Sequence, residues 1–316
     1  MIDYKCPTKC LALIGVAVFT TIFAVPLLAL ETRASAVEVS SRNLRQGDTF
    51  EVVLTEAGSS APEGSASGHT TSLADSSLTF NGNTYKFFPV TQAKTAAEAS
   101  QGQSTKQDLP RYSALLAVPA DLDPGKYSLN VDGENIMLTV RAGLFPLQYI
   151  RLAPGKDNFD TSKGEEEAVD NAKATISPTR LWTGPFKAPS KARTSTGFGL
   201  KRMVNGRLLK DYFHSGLDFA GGLGSPITAC AGGKVILVGR GFKLHGNTVA
   251  IDHGQGVVSF YIHMQTIKVK EGEMVKAGQP IGTVGQTGRA TGPHLHFSIY
   301  VNKVAANPAN WFATAF

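Results

Sequence analysis

The chain has 316 residues, enough for about two domains. Hydrophobic residues make up 42% of it, which excludes a disordered chain, while only 18% charge and 33 glycines favour turn-rich β structure over long solvated helices. The net charge of +6 is uneven: residues 37–180 hold 13 basic and 18 acidic side chains, and residues 181–316 hold 15 and 5.

The first 36 residues read as a targeting segment. Lys5 and Lys9 precede an apolar run over 11–30, and Ala34-Ser35-Ala36 is an Ala-x-Ala cleavage signature. This predicts a secretory signal peptide cut before Val37. The competing reading is an uncleaved membrane anchor through residues 11–30, since about 20 apolar residues can span a bilayer. Either way the remainder is periplasmic or secreted, in the second case tethered to the inner membrane. A basic C-terminal half in an exported protein points to cell-wall polymer or lipid headgroups as partner, and nucleic acid is not expected. Cys6 and Cys10 lie before the apolar run, so Cys230 alone remains, as a small core residue rather than part of a disulfide framework.

Residues 37–143 read as an all-β domain. Short β-branched or aromatic runs fall at 49–54, 77–80, 83–88, 112–118, 127–131 and 136–140, with turn signals at Asn81-Gly82-Asn83 and Asp123-Pro-Gly125. This spacing predicts a small β-sandwich of immunoglobulin-like type. Gly/Ser/Ala-rich stretches at 57–75, which contains His69, and at 91–108 read as loops.

Residues 144–194 read as a connector with a short helix. Glu165, Glu166 and Glu167 suit a helix N-terminus, and Ala168, Val169, Ala172 and Ile176 follow at helical spacing. The plain expectation is a packing helix. The sharper one is that this acidic segment covers the basic domain's groove, an intramolecular inhibition.

From 195 to 316 the pattern is again β, with Gly-rich turns and a mostly antiparallel sheet expected. Strands are predicted at 234–239, 248–252, 257–263, 268–270 and 280–284. In the stretch 285–297, His294, His296, Ser298 and Tyr300 alternate with Leu295, Phe297, Ile299 and Val301. That period of two predicts a strand with both imidazoles on one face and the apolar residues in a core. His214 and Asp218 lie four apart in a loop entering a strand. Imidazole and carboxylate are good zinc ligands, and three protein ligands plus water is the catalytic pattern. Spacing alone leaves open which of His294 and His296 would complete the set. In the 259–264 segment, Phe260 and Ile262 are expected to face one way and Tyr261 and His263 the other.

His214-x-x-x-Asp218, Tyr261-x-His263 and Gly292-Pro-His294-Leu-His296-Phe, in this order, resemble the LytM/lysostaphin-type zinc metallopeptidases, which cut peptides in bacterial peptidoglycan. The segment 196–202 resembles the family's Phe-Gly-x-Arg-type opening with one residue inserted, and 246–254 its central hairpin. Met264 stands where leucine is usual. The resemblance implies one zinc ion held by His214, Asp218 and His296, with His263 and His294 as catalytic histidines and Tyr261 beside the substrate. It leaves open which of His263 and His294 is the general base. It treats His245 and His253 as structural or exposed. The implied function is a zinc endopeptidase that hydrolyses peptidoglycan cross-links in wall remodelling or growth. The competing reading is a non-catalytic LytM-domain regulator that activates cell-wall amidases, and the full set of five site residues speaks against it.

Overall fold

In the computed structural model, residues 36–56, 73–90, 109–151, 159–209 and 212–316 are described. The expected signal or anchor segment up to residue 35, the loop residues 57–72 with His69, and the loop 91–108 lie outside them. Among the described residues no helix is long and apolar enough to cross a membrane.

Alternating apolar residues build two sheets in the N-terminal part. Phe50, Val52 and Leu54 on strand Thr49–Thr55 and Leu129 and Val131 on strand Gly125–Val131 meet in one core with Leu78, Phe80 and Leu138. Among the described residues one sheet has four strands and the other five, so the arrangement is a two-sheet sandwich. Its pairings are antiparallel except for Asn43–Arg45, which runs parallel to Glu134–Arg141.

Strand Arg111–Ala117 is apolar on both faces, and both faces are used. Ala114 and Leu116 enter the sandwich core, whereas Leu115 and Ala117 enter the core of the C-terminal part. Hydrogen bonds close this seam: Trp311 Nε1 donates to Thr49 Oγ1 at 3.0 Å, Asn310 to Asp48 at 2.9 Å, and Asn302 to the Leu115 carbonyl at 2.9 Å.

The C-terminal part is organised on one large sheet. Its backbone order runs Thr194–Thr196, Leu217–Phe219, Leu295–Val301, Val257–Ile267, Gly246–Gly254, Gly233–Phe242 and Met274–Val275, all antiparallel neighbours. One face carries Val249, Ile251, Tyr261, Leu295, Phe297 and Ile299 into the main core. The other face carries Leu237, Ala250, Val258, Phe260 and Ile262 against Val169 and Ala172 of helix Glu165–Lys173. The predicted strand at 268–270 is absent: the chain turns there, with only Val269 buried. Several short elements escaped the sequence reading, the edge strands Ala36–Val39 and Asn43–Arg45 among them. Strand Leu147–Ile150 pairs parallel with Lys201–Val204 inside the expected connector. A short helix, Pro308–Ala313, is capped by the Asn307 side chain on the Ala309 N–H.

Candidate active site

The register of two strands creates the centre of the site. Leu217–Phe219 pairs antiparallel with Leu295–Val301 so that Asp218 lies directly opposite His296. His214 stands in the loop just before, held by its own N–H to the Leu200 carbonyl at 3.0 Å and its carbonyl to the Gly199 N–H at 2.8 Å. His214 Nε2, Asp218 Oδ1 and His296 Nδ1 therefore converge, with separations of 3.0, 2.9 and 2.9 Å.

The outward nitrogens explain what the inward ones offer. His214 Nδ1 lies 2.8 Å from the Gly197 carbonyl, which can only accept, so the ring carries its hydrogen there and Nε2 is bare. His296 Nε2 lies 2.8 Å from the Ser298 hydroxyl, which can take its hydrogen and leave Nδ1 bare. Three buried acceptors then face one another with no donor among them, an arrangement that a cation satisfies. Two imidazoles and a carboxylate are the donor chemistry of zinc. Burial raises the Asp218 carboxyl, but the His214 and His296 rings beside it, which can donate to it only when protonated, outweigh this and hold the group well below the carboxylate range. Burial pushes His296 down to about 4, partly opposed by its bond to Asp218.

His263 and His294 flank this centre with ring centroids 4.9 Å apart. His263 Nδ1 donates to the Thr287 carbonyl at 2.8 Å, and His294 Nδ1 donates to the Gly292 carbonyl at 2.8 Å. With Nδ1 so engaged, the acceptor of each ring in its uncharged form is Nε2, and that of His294 lies 3.9 Å from Asp218 Oδ1. Burial, with His294 and His296 nearby, pushes His263 down to about 3, so it is neutral at neutral pH.

The position of His263 corrects the alternation read from sequence. Asn247 pairs with Met264 but Val249 pairs with Tyr261, so Ile262 and His263 together oppose Thr248. This β-bulge puts His263 at φ 63°, a left-handed conformation rare for a non-glycine residue, and brings it to the cleft beside Ile262. Tyr261, the expected substrate contact, lies on the opposite face. It is 0% exposed, and its hydroxyl accepts from the Cys230 N–H at 2.9 Å and from Ser259 at 3.2 Å. His253 belongs to the same buried network, with Nε2 2.8 Å from Ser259 Oγ. Burial raises the Cys230 thiol to about 12, consistent with an inert core residue.

The histidines open into a cavity of about 340 Å³. Its wall includes Gln148, Ile150 and Phe159, which the sequence reading placed in the connector. Arg202 donates to the Tyr212 hydroxyl at 2.8 Å and to Gln148 Oε1 at 3.2 Å, and lies 3.7 Å from Asp218 Oδ2. His245 also lines the cavity, and its partner is Glu165. The Glu165 carboxylate, 0% exposed, accepts from the backbone N–H groups of Lys243, Leu244 and His245 at 2.8, 3.0 and 2.9 Å and from His245 Nδ1 at 2.8 Å. The His245 carbonyl in turn accepts the His263 N–H at 3.0 Å. No motif announces this link, because the partners are 78 to 80 positions apart.

Residues 212–308 match peptidase family M23. ShyB of Vibrio cholerae, named a peptidoglycan DD-endopeptidase, is 43% identical over 109 residues, covering 34% of this chain and 25% of the relative. The DD-carboxypeptidase/endopeptidase Mpg of Neisseria meningitidis is 41% identical over 97 residues, or 31% of this chain and 22% of Mpg. The chain thus spans about a quarter of these relatives' length. An M23 peptidase crystal structure from Pseudomonas aeruginosa is 28% identical with a TM-score of 0.53, covering 75% of this chain and 87% of that one. His214, Asp218 and His296 all lie within residues 212–308, and it is this segment that carries the likeness to peptidase family M23, the LytM-type peptidases.

Proposed function

We propose that this protein is a zinc-dependent endopeptidase that hydrolyses peptide cross-links of bacterial peptidoglycan. The observation that carries the proposal is the convergence of His214 Nε2, Asp218 Oδ1 and His296 Nδ1 beside two further histidines whose acceptor is Nε2. Relatives named peptidoglycan DD-endopeptidases support the substrate class.

In this reading His214, Asp218 and His296 hold one zinc ion. The chemistry zinc supplies when bound is Lewis acidity: activation of water near neutral pH and polarisation of the scissile carbonyl. His263 and His294 handle the protons. One accepts the proton of the attacking water at Nε2, and the other supports the developing oxyanion or protonates the departing amine. Carbonyls of Thr287 and Gly292 hold both rings in the tautomer this requires. Ile262 and Pro293 supply apolar wall beside them.

The protein acts outside the cytoplasm, exported by its N-terminal segment or tethered through residues 11–30. Residues of the 144–194 connector line the cavity, which supports intramolecular narrowing of the cleft by that segment. The test is mass spectrometry of fragments released from purified peptidoglycan by the zinc-loaded chain, with EDTA and zinc re-addition as controls. EDTA-sensitive release of monomers from cross-linked dimers is expected. A zinc-loaded, folded chain that binds peptidoglycan and releases nothing overturns the reading and favours a regulator.

A further inference from the structure

We infer that Glu165, on the connector helix, is a positioning residue for His263; this rests on the endopeptidase reading above. His263 sits in the β-bulge at φ 63°, a conformation that persists only where its surroundings hold it. Its backbone and its ring are each restrained. The His263 N–H donates to the His245 carbonyl at 3.0 Å, and ring Nδ1 donates to the Thr287 carbonyl at 2.8 Å.

Both restraints lead back to one turn, residues 243–247. Thr287 Oγ1 accepts from the Asn247 N–H at 2.9 Å and donates to the Met264 carbonyl at 2.9 Å. The loop that orients the His263 ring is thereby fastened to the turn and to the residue after His263. Gly246 and Gly288 pack backbone to backbone, and a Cβ on Gly288 would have no room beside Gly246. The turn is the common support of the His263 backbone and ring.

That turn is held by a carboxylate from outside it. Three consecutive backbone N–H groups, of Lys243, Leu244 and His245, converge on the buried Glu165 side chain, an arrangement that binds an anion. His245 Nδ1 donates to the same carboxylate. Ser162 steadies it from the helix side with its N–H at 2.8 Å and its hydroxyl at 2.7 Å. Glu165 precedes the segment 212–308 that matches the peptidase family, so the connector supplies this support. A glutamine there accepts through one oxygen and sets its own N–H group against those of the turn. The turn relaxes, and the His245 carbonyl and Thr287 shift with it. The zinc-site residues His214, Asp218 and His296 stand on other segments and keep their places. A displaced His263 Nε2 slows proton transfer by about tenfold or more.

The experiment measures cleavage of a cross-linked peptidoglycan dimer by the full zinc-loaded chain, Glu165→Gln, His263→Ala, the double variant and Val169→Ala. Val169→Ala opens a cavity under the same helix but keeps the carboxylate, so it separates positioning from lost stability. Glu165→Gln is expected to lower kcat by about tenfold or more with KM and zinc content unchanged, while Val169→Ala keeps the wild-type kcat. In the His263→Ala background Glu165→Gln should change kcat by less than about twofold, because the residue it positions is gone. Ser162→Ala, which removes a hydroxyl behind the carboxylate and keeps its charge, gives a smaller fall in the same cycle and serves if Glu165→Gln does not fold. Hydrogen exchange at the His263 amide should accelerate in either variant, with the strand Leu295–Val301 unaffected. An unchanged kcat, an equal fall in Val169→Ala, or an equal fall in the His263→Ala background overturns the positioning role and leaves the endopeptidase reading standing. Full activity of His263→Ala overturns it too. Cleavage of nothing by wild type overturns the endopeptidase reading and this inference with it.

Discussion

Glu165→Gln tests the tie between the connector helix and the cleft. The side chain keeps its shape but loses its charge, so it imitates the protonated acid. Burial alone would raise the Glu165 carboxyl, yet hydrogen bonds from Ser162 and from the backbone and ring of His245 hold it at about 2 against an ordinary 4.5. That difference corresponds to about 3 kcal/mol favouring the charged form in the folded state. A carboxyl held below its unfolded value stabilises the fold fully above pH 4.5 and loses that contribution as the pH falls toward 2. Glu165→Gln should therefore be less stable than wild type by about 3 kcal/mol at neutral pH, and the gap should shrink below about pH 4.5. Urea unfolding at a series of pH values measures it. Hydrogen exchange should accelerate at the amides of Lys243, Leu244 and His245, which lose a charged acceptor. A gap under about 1 kcal/mol at neutral pH, or one independent of pH, refutes the reasoning.

Four other outcomes are expected. His214→Ala should lose bound zinc and cleavage together, whereas His263→Ala should keep about one zinc by elemental analysis and lose about 10²–10⁴-fold in rate; full activity of the second would remove His263 from the chemistry. Ser298→Ala removes the nearer partner of the outer nitrogen of His296, leaving Ser215 Oγ at 3.4 Å, and should weaken zinc binding about 10–100-fold in a chelator competition, and unchanged affinity would dismiss the orienting role. Tyr261→Phe should lower stability by about 1–3 kcal/mol by stranding the buried Cys230 N–H, with the KM unmoved; a raised KM would restore Tyr261 to the cleft. Residues 181–316 produced alone should show a much lower melting temperature than the full chain, because Leu115, Ala117 and Thr49 contacts are missing; equal stability would mean the seam is energetically idle.

Much of the centre was legible because it lies on regular strands. Leu295, Phe297, Ile299 and Val301 fill one face of a central strand, and strict alternation then places His296 and Ser298 on the other. The same rule failed at Tyr261 and His263, where one extra residue in the strand inverts the faces, and no local residue type announces a bulge there. The Glu165, Glu166 and Glu167 run indicated a helix, but its first member serves a distant turn as well as Ser162 just before the helix. Gly164 occupies the cap position without a side-chain bond, and the Glu165 carboxylate reaches Lys243 through His245. The stacks of Arg289 on Phe159, Phe159 on Tyr212 and Arg202 on Tyr212 join residues from separated segments, so only the folded chain assembles them. The N-terminal strands were readable from their turns, whereas the double burial of Arg111–Ala117 was not, since continuous apolar sequence does not say what lies on either side.

That strand has a consequence for how the cleft meets what it binds. A binding module joined to a catalytic domain by a loose linker works as a leash, and the catalytic domain searches a volume set by linker length. Here one strand serves two cores, and the Trp311 indole is bonded to Thr49 across 262 positions of sequence. The sandwich and the cleft behave as a ruler. Whatever surface the sandwich rests on, the cleft stands at the distance and angle that this seam dictates.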